Sequence, residues 1–247
     1  MAGILHMLNG PLGGAGGLVF VIDTADTNIK TLLIANGWDG TSVIHPTVVI
    51  QSTAKLYASS TGTYALDTGS GWPVGCTLTI VNNGLILGHG GAGANSGTSN
   101  HGLPGGNGGN AIHIQLPTNI TNSGVIGGGG GGGGSGGTTY GGGGGGGEGN
   151  GPGGTSLHAY YGGTATLTAY GAGGSGLGFP AGFYPGYGGT GGNGGIYGSP
   201  GDNGALSYES HANVYYPGGT GGAPGAAVVG NSLVTWVTNG TIYGNLV

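Results

Sequence analysis

The chain has 247 residues, of which 71 are glycine and 11 proline; only 4% are charged, and two lysines against seven acids leave a net charge of -5. A protein that neutralises several phosphates needs a Lys/Arg stripe, so nucleic-acid binding is excluded, and attraction to anionic lipid with it. This much glycine and proline ordinarily signals disorder, but disordered chains are rich in charge, and a 36% hydrophobic fraction with 13 Tyr and three Trp favours a solid body. The longest apolar runs, such as residues 18-22, are far too short to span a membrane, so the chain is not expected to insert in one. No Lys or Arg precedes an apolar stretch at the N-terminus, so no secretory signal is expected. The single cysteine, Cys76, excludes an intrachain disulfide framework and reads as a small buried residue.

Residues 1-17 hold a short apolar stretch (Ile4, Leu5, His6, Met7, Leu8) and a glycine spacer, and read as an attachment or linker segment. Residues 18-87 read as a β-rich domain connecting to whatever carries the chain. Short β-branched or apolar runs at 18-22, 31-35, 43-50, 55-58 and 77-81 are punctuated by turn signals at Asn36-Gly37, Asp39-Gly40 and Asn82-Asn83-Gly84. No segment shows a 3.6-residue apolar period of helical length, so almost no helix is expected. Two stretches repeat one another. Leu78-Thr79-Ile80-Val81-Asn82-Asn83-Gly84-Leu85-Ile86-Leu87-Gly88 and Asn119-Ile120-Thr121-Asn122-Ser123-Gly124-Val125-Ile126-Gly127 both run strand, turn, short strand, polyglycine. A repeated unit that delivers a strand into a glycine tract suggests stacked coils, as in solenoids.

From residue 88 onward, glycine-rich tracts (88-109, 127-137, 141-154, 171-178, 186-204, 218-230) alternate with inserts richer in other residues. Ordering glycine is entropically expensive, so the tracts need a compensating gain. An extended polyglycine strand of the polyproline-II type has about three residues per turn, no internal hydrogen bonds and a rise of ~3.1 Å. Every N–H and C=O then points outward and must find a partner on a neighbouring strand. A fully surrounded strand tolerates no side chain, whereas an outer strand admits one outward residue per turn, the spacing of Thr190 and Asn193 between glycine pairs. The fold class expected is therefore mostly β and irregular: a short-strand, solenoid-like N-terminal part, then a polyglycine-II bundle (88-247) with protruding loops.

With these residues in view, the chain resembles the distal-tip adhesins of T-even-type phage long tail fibres, which are built on a polyglycine-II sandwich. The resemblance rests on Ala111-Ile112 and the Asn119 to Gly127 motif before the long glycine run. It rests also on the alternation of glycine motifs with aromatic segments, and on the closing pattern Val228-Val229-Gly230-Asn231-Ser232, Thr235-Trp236-Val237 and Gly240-Thr241-Ile242-Tyr243-Gly244. It covers residues 78-247; the N-terminal third departs from the family's usual fibre-docking domain. The resemblance implies a virion protein at the distal end of a tail fibre, made in the host cytoplasm and acting outside it. Its partners would be the fibre shaft protein and a bacterial outer-membrane protein or surface glycan.

The inserts carry interface-type residues: Tyr140; Leu157, His158, Tyr160, Tyr161 and Tyr170; Phe179, Phe183, Tyr184 and Tyr187; and Tyr208, His211, Tyr215 and Tyr216. Tyrosine gives a large contact area at low entropic cost and is enriched in paratopes and hot spots, so these are the receptor-binding residues expected, while Trp236 and Tyr243 are assigned to structure. No catalytic constellation is visible. Asp23, Asp26, Asp39 and Asp67 are dispersed beside turn residues, and the glycine runs lack the Lys-Ser/Thr of a phosphate loop. His89, His101 and His113 recur at twelve-residue spacing without supporting cysteines or carboxylates, so neither metal nor cofactor is expected. The sequence thus points to a non-enzymatic adhesin. The alternative is an extracellular glycine-rich structural or ice-binding protein.

Overall fold

The computed structural model describes residues 7-8, 19-96, 101-138, 140-178, 186-210 and 213-247. Its first part winds as stacked coils. After β1 (Met7–Leu8), the first coil holds β2 (Val19–Ile22), β3 (Thr27–Asn28) and the helix α1 (Ile29–Ala35). The second holds β4 (Thr47–Ile50), β5 (Lys55–Tyr57) and β6 (Leu66–Asp67), and the third β7 (Leu78–Asn82), β8 (Leu85–Leu87) and β9 (Ile112–His113). The fourth opens with β10 (Thr118–Asn122) and β11 (Val125–Gly127) and detours through the glycine-rich body, which contains β12 (Gly186–Tyr187), β13 (Ser207–Glu209) and β14 (Val214–Tyr216). It closes with β15 (Val228–Val229), and the last coil carries β16 (Val234–Thr238) and β17 (Thr241–Tyr243).

The coils build three sheets: a base sheet β1-β2-β4-β7-β10-β16, an outgoing sheet β5-β8-β11-β17 and a return sheet β3-β6-β9-β15. Every neighbour pair in them is parallel except β1 and β2. Alternation places one side-chain rank inside, and registers stack like on like. Val48, Ile80, Ile120 and Trp236 form one ladder, Leu56, Ile86, Ile126 and Ile242 a second, and Leu66, Ile112 and Val228 a third. These residues form one apolar cluster running from Phe20 to Val228, and each fully buried aliphatic side chain contributes about 1.5–3 kcal/mol. The boundary expected at residue 87 falls inside the third coil, between β8 and β9, and strands from residues 112-127 and 228-243 share the sheets of residues 19-87.

At the corner between base and outgoing sheets, buried asparagines replace apolar residues. The Asn82 Nδ2 donates to Asn122 Oδ1 (2.8 Å), and Asn122 Nδ2 donates to the Asn239 carbonyl (2.6 Å). The repeat seen at 78-88 and 119-127 is thus a pair of stacked coil corners, and Thr238-Asn239-Gly240-Thr241 is a third. Two strand expectations are corrected. Residues 31-35 are helical because the Asn28 side chain caps the Thr31 N–H at 3.0 Å and Ile29 and Leu33, four apart, both enter the core; two turns are too short for a period to register. The run 43-50 is a strand only from Thr47, because Pro46 has no N–H to offer a ladder. In the intervening loop the Ser42 hydroxyl and the N–H groups of Ser42 and Thr41 hold the Asp39 carboxyl down to about 2. Trp38 and Trp72 stack at 5.1 Å behind it, and Cys76 is buried, as its surroundings led one to expect.

The glycine-rich body consists of extended threads at 88-96, 102-109, 128-136, 141-148, 151-156, 160-166, 171-178, 187-195, 200-206 and 217-227, in which strand pairing occurs only at Gly178 and Tyr187 among the described residues. Their hydrogen bonds run sideways with a period of three. Along the eight-glycine run, Gly129, Gly132 and Ser135 donate to Gly109, Gly106 and Leu103 of one neighbour. Gly130, Gly133 and Gly136 donate to Glu148, Gly145 and Gly142 of a second; Gly131, Gly134 and Gly137 donate to Ser199, Asp202 and Ala205 of a third. Its carbonyls accept from three further threads, through Gly91 and Ala94, Gly192 and Gly195, and Gly219, Gly222 and Gly225. This thread is therefore surrounded on all sides. So is the run 141-147, which donates to threads 88-96, 160-166 and 187-195 and accepts from 128-136, 151-156 and 171-178.

The two unbroken glycine runs are thus the two enclosed threads, and glycine is required there by proximity. A Cβ on Gly131 would collide with the Gly222 carbonyl, and one on Gly144 with that of Gly133. On outer threads one position in three faces water, as at Thr190 and Asn193. Asparagines at such positions stitch the rim: Asn107, Asn110, Asn193 and Asn203 accept from the N–H of Ala223, Ala226, Gly173 and Gly221 at 2.7–3.1 Å.

Two expectations follow from this packing. Gly131→Ala and Gly144→Ala each lower stability in thermal unfolding by about 3 kcal/mol or more, while Thr190→Ala stays within about 0.5 kcal/mol of the parent. Asn122→Ala, which strips two partners from the corner ladder, costs about 1–3 kcal/mol in denaturant titration.

Candidate functional site

The strands β8 and β11 lead directly into threads 88-96 and 128-136, so these run away from the solenoid, and threads 102-109 and 217-227 return into β9 and β15. The body therefore has an inner end against the coils and an outer end remote from them. Turns at 149-150, 167-170 and 196-199 lie at the inner end. There Tyr197 donates its hydroxyl to the Leu167 carbonyl (2.9 Å) and its N–H to Glu148 (3.1 Å), and Gly198 bonds to Gly128 beside β11. Burial, then the Glu148 charge, pushes the Tyr197 hydroxyl well above the ordinary tyrosine range.

The outer end gathers the turn residues 137-138 and 140, those at 157-159 and the three-stranded antiparallel sheet β12-β13-β14. Tyr140 stacks on His158 with centroids 5.1 Å apart, and its carbonyl accepts from Leu177 (3.1 Å). Leu157 is 62% exposed, and Tyr160 and Tyr161 stand at 63% and 68% at the start of the next thread. Registers bring Tyr187, Tyr208 and Tyr215 side by side across the sheet, with centroids 6.0 and 4.8 Å apart. Their rings form a tilted row on one face, as expected of cross-strand pairs. On the other face the Tyr216 hydroxyl donates to Glu209 Oε2 at 3.1 Å, and that bond raises its pKa.

Tyr140, Leu157, His158, Tyr160, Tyr161, Tyr187, Tyr208, Tyr215 and Tyr216 thus lie together at the outer end. Tyr170 does not: the insert 155-170 spans an outgoing turn and a returning thread, and Tyr170 sits at the inner turn beyond Leu167. Phe179, Phe183, Tyr184 and His211 lie outside the described residues. Exposed Leu103, Leu177 and Leu206 also belong to the outer end; a lone leucine where a thread would carry glycine was the signal for them. Lys30 and Lys55 are both in the solenoid, and Glu209 is the single formal charge of the outer turns among the described residues.

The three evenly spaced histidines do not converge. His113 lies 3.3 Å from Asp67 and stacks on Tyr64, whereas His89 bonds to the Gly90 carbonyl at the inner end and His101 begins a thread at the outer end. Twelve residues do not make a coil here; β6 and β9, which pair, are separated by a whole circuit and two threads. Among the described residues no three His, Cys, Asp or Glu side chains are grouped to hold a metal ion.

Comparison with known proteins agrees with this architecture. The chain superposes on a chain in the crystal structure of the gp37-gp38 adhesin tip complex of the bacteriophage S16 long tail fibre, with a TM-score of 0.61 and 29% identity. That match covers 93% of this chain and 82% of the other. No curated protein sequence matches significantly. The family described as phage tail fibre adhesin Gp38 matches residues 18–247, so the likeness extends through the N-terminal third, where the motifs had not carried it. With almost the whole chain matched, this protein belongs to the phage tail fibre adhesin Gp38 family and is a receptor-binding adhesin of the distal tail-fibre tip.

Proposed function

We propose that the outer end of the glycine body is the receptor-contacting surface, and that the solenoid carries it on the fibre. The observation that carries the reading is the concentration of exposed aromatic side chains at the one end of the threads that is remote from the coils. Tyr160, Tyr161, Tyr187 and Tyr215 are exposed, yet each is rooted in a thread end or a paired strand. Rigid tyrosines lose little entropy on binding, the property that makes them recurrent anchors in paratopes. With one formal charge at this end, contact rests on shape and ring burial rather than on long-range steering.

The protein acts by binding and carries out no chemistry. The Asp39 carboxylate is held by the N–H groups of its own turn, and Asp202 accepts from Asn193 at 3.1 Å on the rim. The receptor is a bacterial outer-membrane protein or a surface glycan, and the second partner is the shaft protein of the fibre; the similar S16 structure is likewise a two-protein gp37-gp38 complex of a long tail fibre. The division of labour runs between body and coils: residues 88-109 and 128-227 grip the host, and residues 18-87, together with the third, fourth and last coils, connect to the fibre.

The double variant Tyr208→Ala/Tyr215→Ala, on a sheet held by its own ladder, leaves the melting temperature within a few degrees of the parent. It reduces adsorption of the isolated tip to susceptible cells at least tenfold. Adsorption at the parental level would remove this surface from the reading. Protease-treated and periodate-treated cells, tested in parallel, separate a protein receptor from a glycan.

A further inference from the structure

We infer that Asn239, at the corner of the last coil, is a site of spontaneous deamidation and isomerisation, and that the fold protects every other Asn-Gly pair among the described residues. Asparagine is one of the thermolabile residues. It is most labile before glycine, whose nitrogen no side chain hinders from reaching the carboxamide carbon. Seven such pairs occur among the described residues, with their glycines at 37, 84, 108, 151, 194, 204 and 240. The glycine N–H must first leave any acceptor it is bonded to, so a bonded pair reacts only on local opening.

Six of the seven glycine N–H groups are engaged. Gly37 donates to the Ile34 carbonyl, Gly151 to Gly147, Gly108 to Ala223, Gly194 to Gly171 and Gly204 to Gly219, all at 2.8–3.1 Å. Gly84 donates to the Asn82 side chain at 3.1 Å. On the rim the carboxamide is held as well, since Asn107, Asn193 and Asn203 accept from the neighbouring thread. Asn239 and Gly240 are both exposed, and neither the Asn239 carboxamide nor the Gly240 N–H has a hydrogen-bond partner among the described residues. The stacked corners explain the difference. Gly84 uses the Asn82 carboxamide oxygen and Gly124 the Asn82 carbonyl (3.0 Å), but two residues before Gly240 stands Thr238 instead of asparagine. Its hydroxyl donates to the Asn122 carbonyl at 3.1 Å, and it offers Gly240 no carboxamide oxygen.

In the reaction the Gly240 nitrogen bonds to the Asn239 side-chain carbonyl carbon, and the carbon–nitrogen bond of the carboxamide breaks. The Gly240 proton leaves with the amino group as ammonia, and a cyclic succinimide remains. Water then opens one of its two carbonyls. Opening at the side chain gives aspartate; opening at the main chain gives isoaspartate, in which the backbone runs on through the side-chain methylene. Either product puts a carboxylate into residues 234-247, which hold no Lys, Arg, Asp or Glu. Isoaspartate also displaces the Asn239 carbonyl that accepts from Asn122 Nδ2 at 2.6 Å, which loosens the corner ladder. None of the outer turns has an asparagine before a glycine, so ageing reaches the solenoid and spares the aromatic surface.

The test incubates the full chain at mildly alkaline pH in heavy-oxygen water, digests it with pepsin in acid and reads the label in each Asn-Gly peptide by mass spectrometry. In the folded chain the Asn239 peptide gains label at least about tenfold faster than each of the other six, whereas in denaturant all seven gain it at comparable rates. Asn239→Ser, which copies Ser123 of the preceding corner, abolishes label at that position. Thr238→Asn, which restores the carboxamide acceptor, slows labelling with Asn239 and Gly240 both intact. The melting temperature of the parent falls as label accumulates, and that of Asn239→Ser does not. A rim pair labelled as fast as Asn239 in the folded chain, or an Asn239 peptide labelled no faster than the other six, overturns the assignment. So does an unchanged rate in a folded Thr238→Asn variant. The comparison among peptides is made within the unaltered chain, so it decides the site even if a substitution impairs folding.

Discussion

The structure depends on peptide groups of adjacent glycine threads satisfying each other at a separation that excludes Cβ. Each such bond contributes only about 1 kcal/mol net, and glycine is the most expensive residue to order. The arrangement works because the bonds are made in every lateral direction at once. Thread 128-136 and thread 141-148 spend successive N–H groups on three different neighbours in rotation and accept from three others. No side-chain core is needed where the backbone itself fills space, and a substituent at the centre would push apart several threads together.

The solenoid supplies what such a lattice lacks, a nucleus of ordinary apolar packing. The Val48-Ile80-Ile120-Trp236 ladder and its companions set coil upon coil, so that β8 and β11 enter the body in register. The first contacts between threads extend that register: Gly88 bonds to Gly127 and Gly91 to Gly130, continuing the β8–β11 pairing into residues with no side chains. The body is thus made of two expanded connections, one between β8 and β9 of the third coil and one between β11 and β15 of the fourth. It begins and ends on the same solenoid, as the return of thread 217-227 into β15 requires.

Much of this was legible in the residues. The two unbroken runs declared themselves as enclosed threads because any residue but glycine would break the packing, and Thr190 and Asn193 marked an outward position by their three-residue spacing. The repeat at 78-88 and 119-127 revealed the coil corner. Its third copy at 234-243 was obscured because Trp236 and Tyr243 replace aliphatics and a bulge interrupts β16 after Trp236. The α1 segment was read as strand because its capping by Asn28 is a local side-chain contact that composition does not announce. Tyr170 was grouped with the receptor loops because sequence shows the inserts but not the direction of the threads between them; alternate turns fall at opposite ends of the body.

The orientation of the threads has a mechanical consequence. With the receptor at the outer turns, as proposed above, a virion tethered to a moving cell would pull between those turns and the coils, along the length of the threads. Bonds perpendicular to that pull are loaded in shear and share the force across the whole array, so none can be peeled open singly. A tip of this kind can hold fast under tension that would unzip a hairpin pulled from its end, while the proposed contact residues sit on short turns that can be exchanged without disturbing the cable beneath.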